Sequence, residues 1–196
     1  MTDRVLVWDR FVRLFHWSLL TLIAGCWATS DSGKTLHEAM GYAIGALIAM
    51  RLVWGFIGPR HARFADFVRG PRAVLGYLRD LLAGHERRYL GHNPAGGAMI
   101  VALLVTVAAT VLTGWLQTTD AYWGSSTVEN IHYAFAILIP ILAVFHVGGV
   151  IFESLRHHEN LVAAMLNGHK RGLGEEAGNK NRATPSTGKA GRPSTH

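Results

Sequence analysis

The hydrophobic positions of this chain are gathered into four long stretches, at about residues 14–30, 37–57, 96–117 and 130–152. Three of them contain no Asp, Glu, Lys or Arg, and the second contains only Glu38 and Arg51, toward its two ends. Because the hydrocarbon core of a bilayer is about 30 Å thick, a helix needs about 20 apolar residues to cross it. The pattern therefore predicts an all-α fold, an integral membrane four-helix bundle.

The basic residues lie on one side of this arrangement. The connection between the second and third stretches carries seven arginines, and further Lys and Arg residues precede the first stretch and follow the fourth, whereas the other two connections contain only Lys34. Cytoplasmic loops of membrane proteins are enriched in Lys and Arg, so we expect both termini and the middle connection to be cytoplasmic. The net charge of +6 is then a signal of topology, and we expect membrane lipid but no nucleic acid as a partner.

The polar segments on the cytoplasmic side differ in pattern. At about residues 71–83, Leu and Val recur at helical spacing, which predicts a short amphipathic helix, lying either on the membrane interface or as an ordinary surface helix packed on the loop. Residues 170–196 are polar and rich in Gly and Pro, which is typical of disorder. We therefore divide the chain into a membrane domain, residues 1–169, and a disordered cytoplasmic tail, residues 170–196.

Four of the eleven histidines lie within or at the edge of a predicted span, where ionisable groups usually mark function. They are His16, His37, His132 and His146. The last two are 14 residues apart on one helix, so they leave from nearly the same face and are separated by about 21 Å along the axis. The predicted topology puts His16 at the depth of His146 and His37 at the depth of His132. Taken singly, each histidine is equally compatible with a hydrogen bond between helices, but the spacing predicts two facing pairs.

Two neutral imidazoles that face each other across a helical bundle suit the axial positions of a b-type haem. Zinc usually has three or four protein ligands, and a chain whose only cysteine is Cys26 lacks the motif that attaches c-type haem covalently. Gly41 and Gly45 follow His37 on its own face and leave room either for a flat macrocycle or for a close helix neighbour. Arg51, 14 residues after His37 and so at the inner depth, is the best-placed cation for a haem propionate.

One combination of motifs is specific when its members are taken together. It consists of VWDRFVRLFHW, His37 with Gly41, RLVWGFIG, GHNPAGG and the His132/His146 pair. Over about residues 4–170, the chain resembles the bacterial di-haem cytochrome b561 family, which includes the b-type cytochrome subunits of nickel–iron hydrogenases and related formate dehydrogenases. The resemblance implies a protein of the bacterial inner membrane with two haem b groups, whose axial ligands are the four histidines. It also implies electron transfer between the quinone pool and a periplasmic partner, such as a c-type cytochrome or a dehydrogenase or hydrogenase subunit.

The segment GHNPAGG opens the third predicted span on the cytoplasmic side. His92 and Asn93 could contact a quinone carbonyl there, while Gly96 and Gly97 would leave space for the quinone ring. The alternative is structural, with Asn93 as the N-cap of a helix and Pro94 at its first position.

Three functions remain open from the sequence. The first is an electron-transfer subunit without a substrate reaction of its own, and the second is a stand-alone quinone-linked oxidoreductase that acts on a small species such as superoxide. The third is a haem-free transporter that uses the histidines for protons or metal ions. Because the outer connections hold only one cation, Lys34, the first is favoured over the second. The sequence does not decide between a monomer and a homodimer.

Overall fold

The computed structural model describes residues 4–31, 33–85 and 87–172. The elements follow in the order β1 (Arg4–Leu6), α1 (Arg10–Ala28), α2 (Lys34–Ile57), a 3₁₀ turn (Arg60–Ala62), α3 (Phe64–Phe67), α4 (Pro71–Leu82), α5 (Pro94–Leu116), α6 (Ser126–Arg156), α7 (Leu161–Asn167) and β2 (His169–Arg171).

The four longest helices are long and apolar enough to cross a membrane, which confirms the all-α membrane fold predicted from the sequence. They are α1, α2, α5 and α6, with 19, 24, 23 and 31 residues. The helix α1 begins earlier than predicted because Asp9 caps it, its Oδ1 accepting a hydrogen bond from Val12 N at 3.1 Å. The helix α6 continues one turn beyond the predicted span and passes through Pro140 without ending.

The bundle packs around a small apolar centre rather than a large one. Five buried side chains form it, namely Phe15, Ile44, Ile48, Val107 and Ile139. Many large apolar residues elsewhere face outward, as Val144 does with 72% of its surface exposed. In a membrane such residues contact lipid, which is as apolar as they are, so the helices need no larger core between them.

The helix α4 agrees with both interpretations of residues 71–83. Pro71 occupies its first position, and Tyr77 is buried where α4 packs against α5. The opposite face presents Leu75, Leu78 and Leu82, which are exposed. One side of α4 is therefore packed on the protein, and the other is an apolar surface suited to a membrane interface.

The strands β1 and β2 pair with each other and so connect the two ends of the membrane domain. We call this two-stranded pairing the clasp. These strands pair antiparallel, with Arg4 opposite Arg171, Val5 opposite Lys170 and Leu6 opposite His169. Gly168 turns the chain into β2 at φ 87°, and a Cβ at this position would lie 2.6 Å from the carbonyl oxygen of Trp8. Lys170 and Arg171, which we expected to begin the disordered tail, are therefore in a strand. The predicted tail from residue 173 onward lies outside the described residues.

A buried carboxylate explains why the strand extends this far. Glu159 Oε1 lies 3.0 Å from Arg88 Nη2, accepts a hydrogen bond from the Arg171 backbone at 2.8 Å, and Oε2 lies 3.6 Å from Lys170 Nζ. Burial raises the pKa of the Glu159 carboxyl, but the hydrogen bonds from Arg171 and Arg88 outweigh this effect and hold it below its usual value. The charged side chains of Arg88 and Lys170 are thus paired with that of Glu159 beside the two strands.

Candidate haem sites

The structure brings the four membrane histidines together in the two pairs expected from their depths. The ring centroids of His16 on α1 and His146 on α6 are 6.5 Å apart. Those of His37 on α2 and His132 on α6 are 6.3 Å apart. Since His132 and His146 are 14 residues apart along α6, the two pairs are separated by about 21 Å along that helix. We call them the inner pair, His16 with His146, and the outer pair, His37 with His132.

The separation within each pair fits one metal ion between two ring nitrogens. A metal–imidazole bond is about 2.0–2.1 Å long, which puts the two nitrogens about 4 Å apart and, with about 1.1 Å from each nitrogen to its ring centre, gives roughly 6.3 Å between centroids. The observed 6.5 and 6.3 Å match this value. Aromatic rings that pack on each other also lie about 4.5–7 Å apart, so the two distances admit a shared metal ion without requiring one.

In the outer pair, both rings are oriented by backbone carbonyls that accept from Nδ1. His37 Nδ1 donates to the carbonyl oxygen of Cys26 at 3.0 Å, and His132 Nδ1 donates to that of Thr110 at 2.9 Å. A carbonyl oxygen can only accept, so each Nδ1 carries the proton and each Nε2 keeps its lone pair. Metal-ligating histidines are held in this way by their other ring nitrogen. Both outer histidines are therefore prepared as Nε2 ligands.

The inner pair has a different polar setting. His16 Nδ1 is enclosed and has no hydrogen-bond partner among the described residues. Arg51, at the same end of the bundle, is 96% buried, since 4% of its surface is exposed. Its Nη2 donates to the Ala62 carbonyl at 3.0 Å and its guanidinium lies 5.1 Å from the centre of the Phe64 ring, while Nη1 is enclosed without a partner. The inner pair is thus accompanied by a buried cation with a free donor.

Glycines next to the outer pair have separate roles. A Cβ at Gly41, one turn after His37, would meet nothing within 4 Å, so open space lies beside this ligand. A Cβ at Gly45 would lie 3.1 Å from Val111, which makes this glycine a helix-packing position. Gly114 on α5 faces His132, where a Cβ would lie 3.0 Å from the ring. Gly114 could not be predicted as a neighbour of His132, because nothing in its local sequence indicates which helix faces it.

The donor set argues against a metal held by protein ligands alone. Within the parts of the chain that the structure describes, no group of three or more His, Cys, Asp or Glu residues could hold a metal ion. Two axial nitrogens suffice for haem, because the porphyrin supplies the remaining four ligands. The residues present therefore fit haem rather than a zinc centre.

At the N-terminal end of α5, Asn93 has the structural role that was the alternative to quinone contact. Its Oδ1 accepts from Gly96 N at 2.7 Å, with Pro94 at the first helical position, so the N-cap interpretation is confirmed. Its Nδ2 donates to Glu153 Oε1 at 2.7 Å and to the Tyr77 hydroxyl at 2.9 Å. Tyr77 also donates to Glu153 at 2.6 Å. The expected contact with a quinone stays a prediction, and both polar atoms of Asn93 already have partners.

The neighbouring His92 lies among aromatic rings. Its ring centre is 4.5 Å from that of Trp8 and 5.1 Å from that of Phe67. Burial, assisted by the charges of Lys170 and Arg51, lowers the pKa of His92 to about 3, so the imidazole is neutral. Its Nδ1 is enclosed and has no hydrogen-bond partner among the described residues. The space beside Gly97, which we expected to take a quinone ring, is filled by Phe67, whose carbonyl oxygen would lie 2.4 Å from a Cβ there.

Three curated proteins are similar to this chain in sequence, at low identity, and each is named "Probable Ni/Fe-hydrogenase B-type cytochrome subunit". The protein from Rhodobacter capsulatus is 24% identical over 159 residues, covering 68% of this chain and 61% of its own length. That from Bradyrhizobium diazoefficiens is 22% identical, covering 69% and 65%. That from Rhizobium leguminosarum bv. viciae is 21% identical, covering 85% and 88%. The chain thus spans less than two thirds of the length of the first two relatives.

No solved structure matches the chain. The profile of the prokaryotic cytochrome b561 family matches residues 7–168, which include all four transmembrane helices and both histidine pairs. The chain therefore belongs to the prokaryotic cytochrome b561 family, a family of membrane electron-transfer proteins with b-type haem.

Proposed function

We propose that this protein carries electrons across the bacterial inner membrane through two b-type haems. One haem lies between His16 and His146 toward the cytoplasm, and the other between His37 and His132 toward the periplasm. The observation that carries the proposal is the pairing itself, because four histidines from three helices meet as two pairs at 6.5 and 6.3 Å. Each pair offers two axial ligands and, among residues 4–31, 33–85 and 87–172, no third protein ligand, which is the donor set of a bis-histidine cytochrome.

The chain's own residues fix the ligands and compensate charge. The Cys26 and Thr110 carbonyls hold the outer imidazoles with Nε2 directed away from the hydrogen bonds. Arg51 supplies a buried positive charge for a propionate of the inner haem. When bound, haem supplies the one-electron iron chemistry, and the protein sets its potential through ligands, burial and nearby charge.

The two ends of the electron path face different partners. We propose a periplasmic redox partner at the outer pair, either a c-type cytochrome or a dehydrogenase or hydrogenase subunit. The name that the relatives carry supports the hydrogenase class. We propose the quinone pool as the partner of the inner haem. Both termini and the α4 connection then face the cytoplasm, as the distribution of basic residues predicts.

Proteoliposomes test the transmembrane path directly. The purified protein is reconstituted into vesicles with trapped ferricyanide and valinomycin for charge balance, and ascorbate is added outside. We expect the trapped ferricyanide to be reduced, and we expect His16→Leu and His37→Leu each to abolish this reduction, because each interrupts the path at one depth. The control is His85→Leu, which changes an exposed histidine of the cytoplasmic connection. Reduction at the wild-type rate by both variants would overturn the proposal.

A further inference from the structure

Besides His16 Nδ1, several enclosed nitrogen atoms lack hydrogen-bond partners among the described residues, and two of these belong to side chains that interact electrostatically with each other. These two atoms are Nη1 of Arg51 and Nδ1 of His92. Leaving a buried donor unpaired costs about 1–3 kcal/mol, and more if the group is charged. The two residues come from different elements, α2 and the segment before α5, so the conformation of a single turn does not explain both unpaired atoms.

The aromatic rings of Phe64 and Phe67 connect the surroundings of the two residues. The Arg51 guanidinium lies over the Phe64 ring, whose centre is 5.8 Å from that of Phe67. The Phe67 ring in turn contacts His92, with 5.1 Å between centres. His92 is also close enough to interact electrostatically with both Arg51 and His146, an inner-pair ligand. His92 therefore lies near both Arg51 and the inner histidine pair.

The carboxylates of this region are already engaged elsewhere. Asp66 lies 3.1 Å from His61 and 3.4 Å from Arg60. Asp9 caps α1 and accepts from Trp54 Nε1 at 3.4 Å. In the described part of the chain, no Asp or Glu lies within ion-pair distance of Arg51. Asp9 is close enough to interact electrostatically with Arg51 but does not hydrogen-bond to it, so the enclosed Nη1 donor still lacks an acceptor. An unpaired buried donor of this kind favours an anion from outside the polypeptide.

We propose that Arg51 and His92 form a carboxylate-binding site, in which Arg51 Nη1 and the Nδ1–H of His92 donate to one propionate of the inner haem. The inference rests on the proposed two-haem function and adds His92 as a positioning residue. A neutral imidazole beside a guanidinium suits one carboxylate, because the pair offers two donors and a single positive charge. A hydrogen bond to the propionate also accounts for the presence of a histidine between the rings of Trp8 and Phe67, where an apolar side chain would otherwise be expected.

The test is a redox titration of the purified holoprotein with three variants. His92→Leu removes the donor, His92→Gln keeps an N–H donor, and Arg51→Gln removes the charge. His85→Leu, at an exposed histidine of the same connection, is the matched control. The inner haem is identified as the one lost in His146→Leu. Transfer of haem to apomyoglobin gives a second, non-redox measurement.

We expect His92→Leu and Arg51→Gln to lower the midpoint potential of the inner haem alone, because an uncompensated propionate stabilises ferric iron. We also expect the inner haem to be lost to apomyoglobin about five- to tenfold faster, with His92→Gln close to wild type. Two haems with unchanged potentials and loss rates in His92→Leu would overturn this inference while leaving the proposed function intact. The inference would also be overturned if His92→Gln changed the inner-haem potential and loss rate as much as His92→Leu does. A midpoint potential of the inner haem that depends on added acetate would overturn it too, because the site would then bind a free anion. Wild-type protein without haem would instead overturn the proposed function.

Discussion

The role of each histidine depends on what its ring nitrogens contact. His37 and His132 each donate a hydrogen bond from Nδ1 to a backbone carbonyl, which leaves Nε2 available to a metal ion. His61 instead pairs with Asp66 at 3.1 Å, within the connection between α2 and α5. The depth pairing follows from sequence spacing, because the helical rise fixes depth. The carbonyl partners do not, because they depend on how α2 and α5 are rotated about their axes.

Asn93 provides a test of a residue whose role was ambiguous in the sequence. We expect Asn93→Ala to lower stability by about 0.5–2 kcal/mol through the lost N-cap, and further through the loss of the donor to Glu153. Asn93→Ser keeps a capping oxygen but loses the Nδ2 donor, so it should lie between Ala and wild type. Thermal unfolding in detergent, followed by circular dichroism, measures the order. Unchanged stability in Asn93→Ala together with impaired reaction with quinol would contradict the capping role and favour quinone contact.

Among the elements, the long helices were predictable and the short ones were not. Runs of apolar residues predict α1, α2, α5 and α6 because lipid requires continuous apolar helices that satisfy their own backbone hydrogen bonds. The strands β1 and β2 contain three residues each and read RVL and HKR, which carries no strand signal. Glu159 accepts hydrogen bonds from the Arg171 backbone in β2 and from Arg88, which lies 71 residues from Glu159 in the chain, so local sequence does not reveal these contacts.

The clasp formed by β1, β2 and Glu159 should depend on pH. The folded pKa of Glu159 lies below its ordinary value of 4.5, so its contribution to stability is complete above that pH and is lost as pH falls through the folded pKa. We expect Glu159→Gln to lower stability at pH 7 by about 3–5 kcal/mol, because the side chains of Arg88 and Lys170 stay buried without their counter-ion. The loss should shrink as wild type is acidified below pH 4.5.

Thermal unfolding across pH measures both effects, and Glu38→Gln is the matched control. Glu38 pairs with Lys34 at 4.0 Å on the surface, where their side chains are 36% and 72% exposed. Such a pair contributes about 0–1 kcal/mol. Equal melting temperatures of Glu159→Gln and Glu38→Gln at pH 7 would show that the buried carboxylate does not stabilise the clasp.

For the whole molecule, the two membrane halves differ in the polar groups around each histidine pair. The outer pair is oriented by the Cys26 and Thr110 carbonyls, with the Thr113 hydroxyl also 3.3 Å from His132 Nδ1, whereas His16 Nδ1, Arg51 Nη1 and His92 Nδ1 are enclosed without partners among the described residues. The sequence indicated this asymmetry only through Arg51, since the unpaired Nδ1 of His92 depends on how Trp8 and Phe67 enclose it. The α6 helix supplies one histidine to each pair, so a single helix sets the distance between the two pairs.

The number of haems in the purified protein tests the central claim most directly. A pyridine haemochrome assay with a reduced-minus-oxidised spectrum should give two b-type haems per chain. Replacing any one of the four ligands, His16, His37, His132 or His146, by Leu should leave one haem, and the double variant His16→Leu/His37→Leu should have none. Two haems that persist in a single variant, or wild-type protein with one haem or none, would contradict the paired bis-histidine sites.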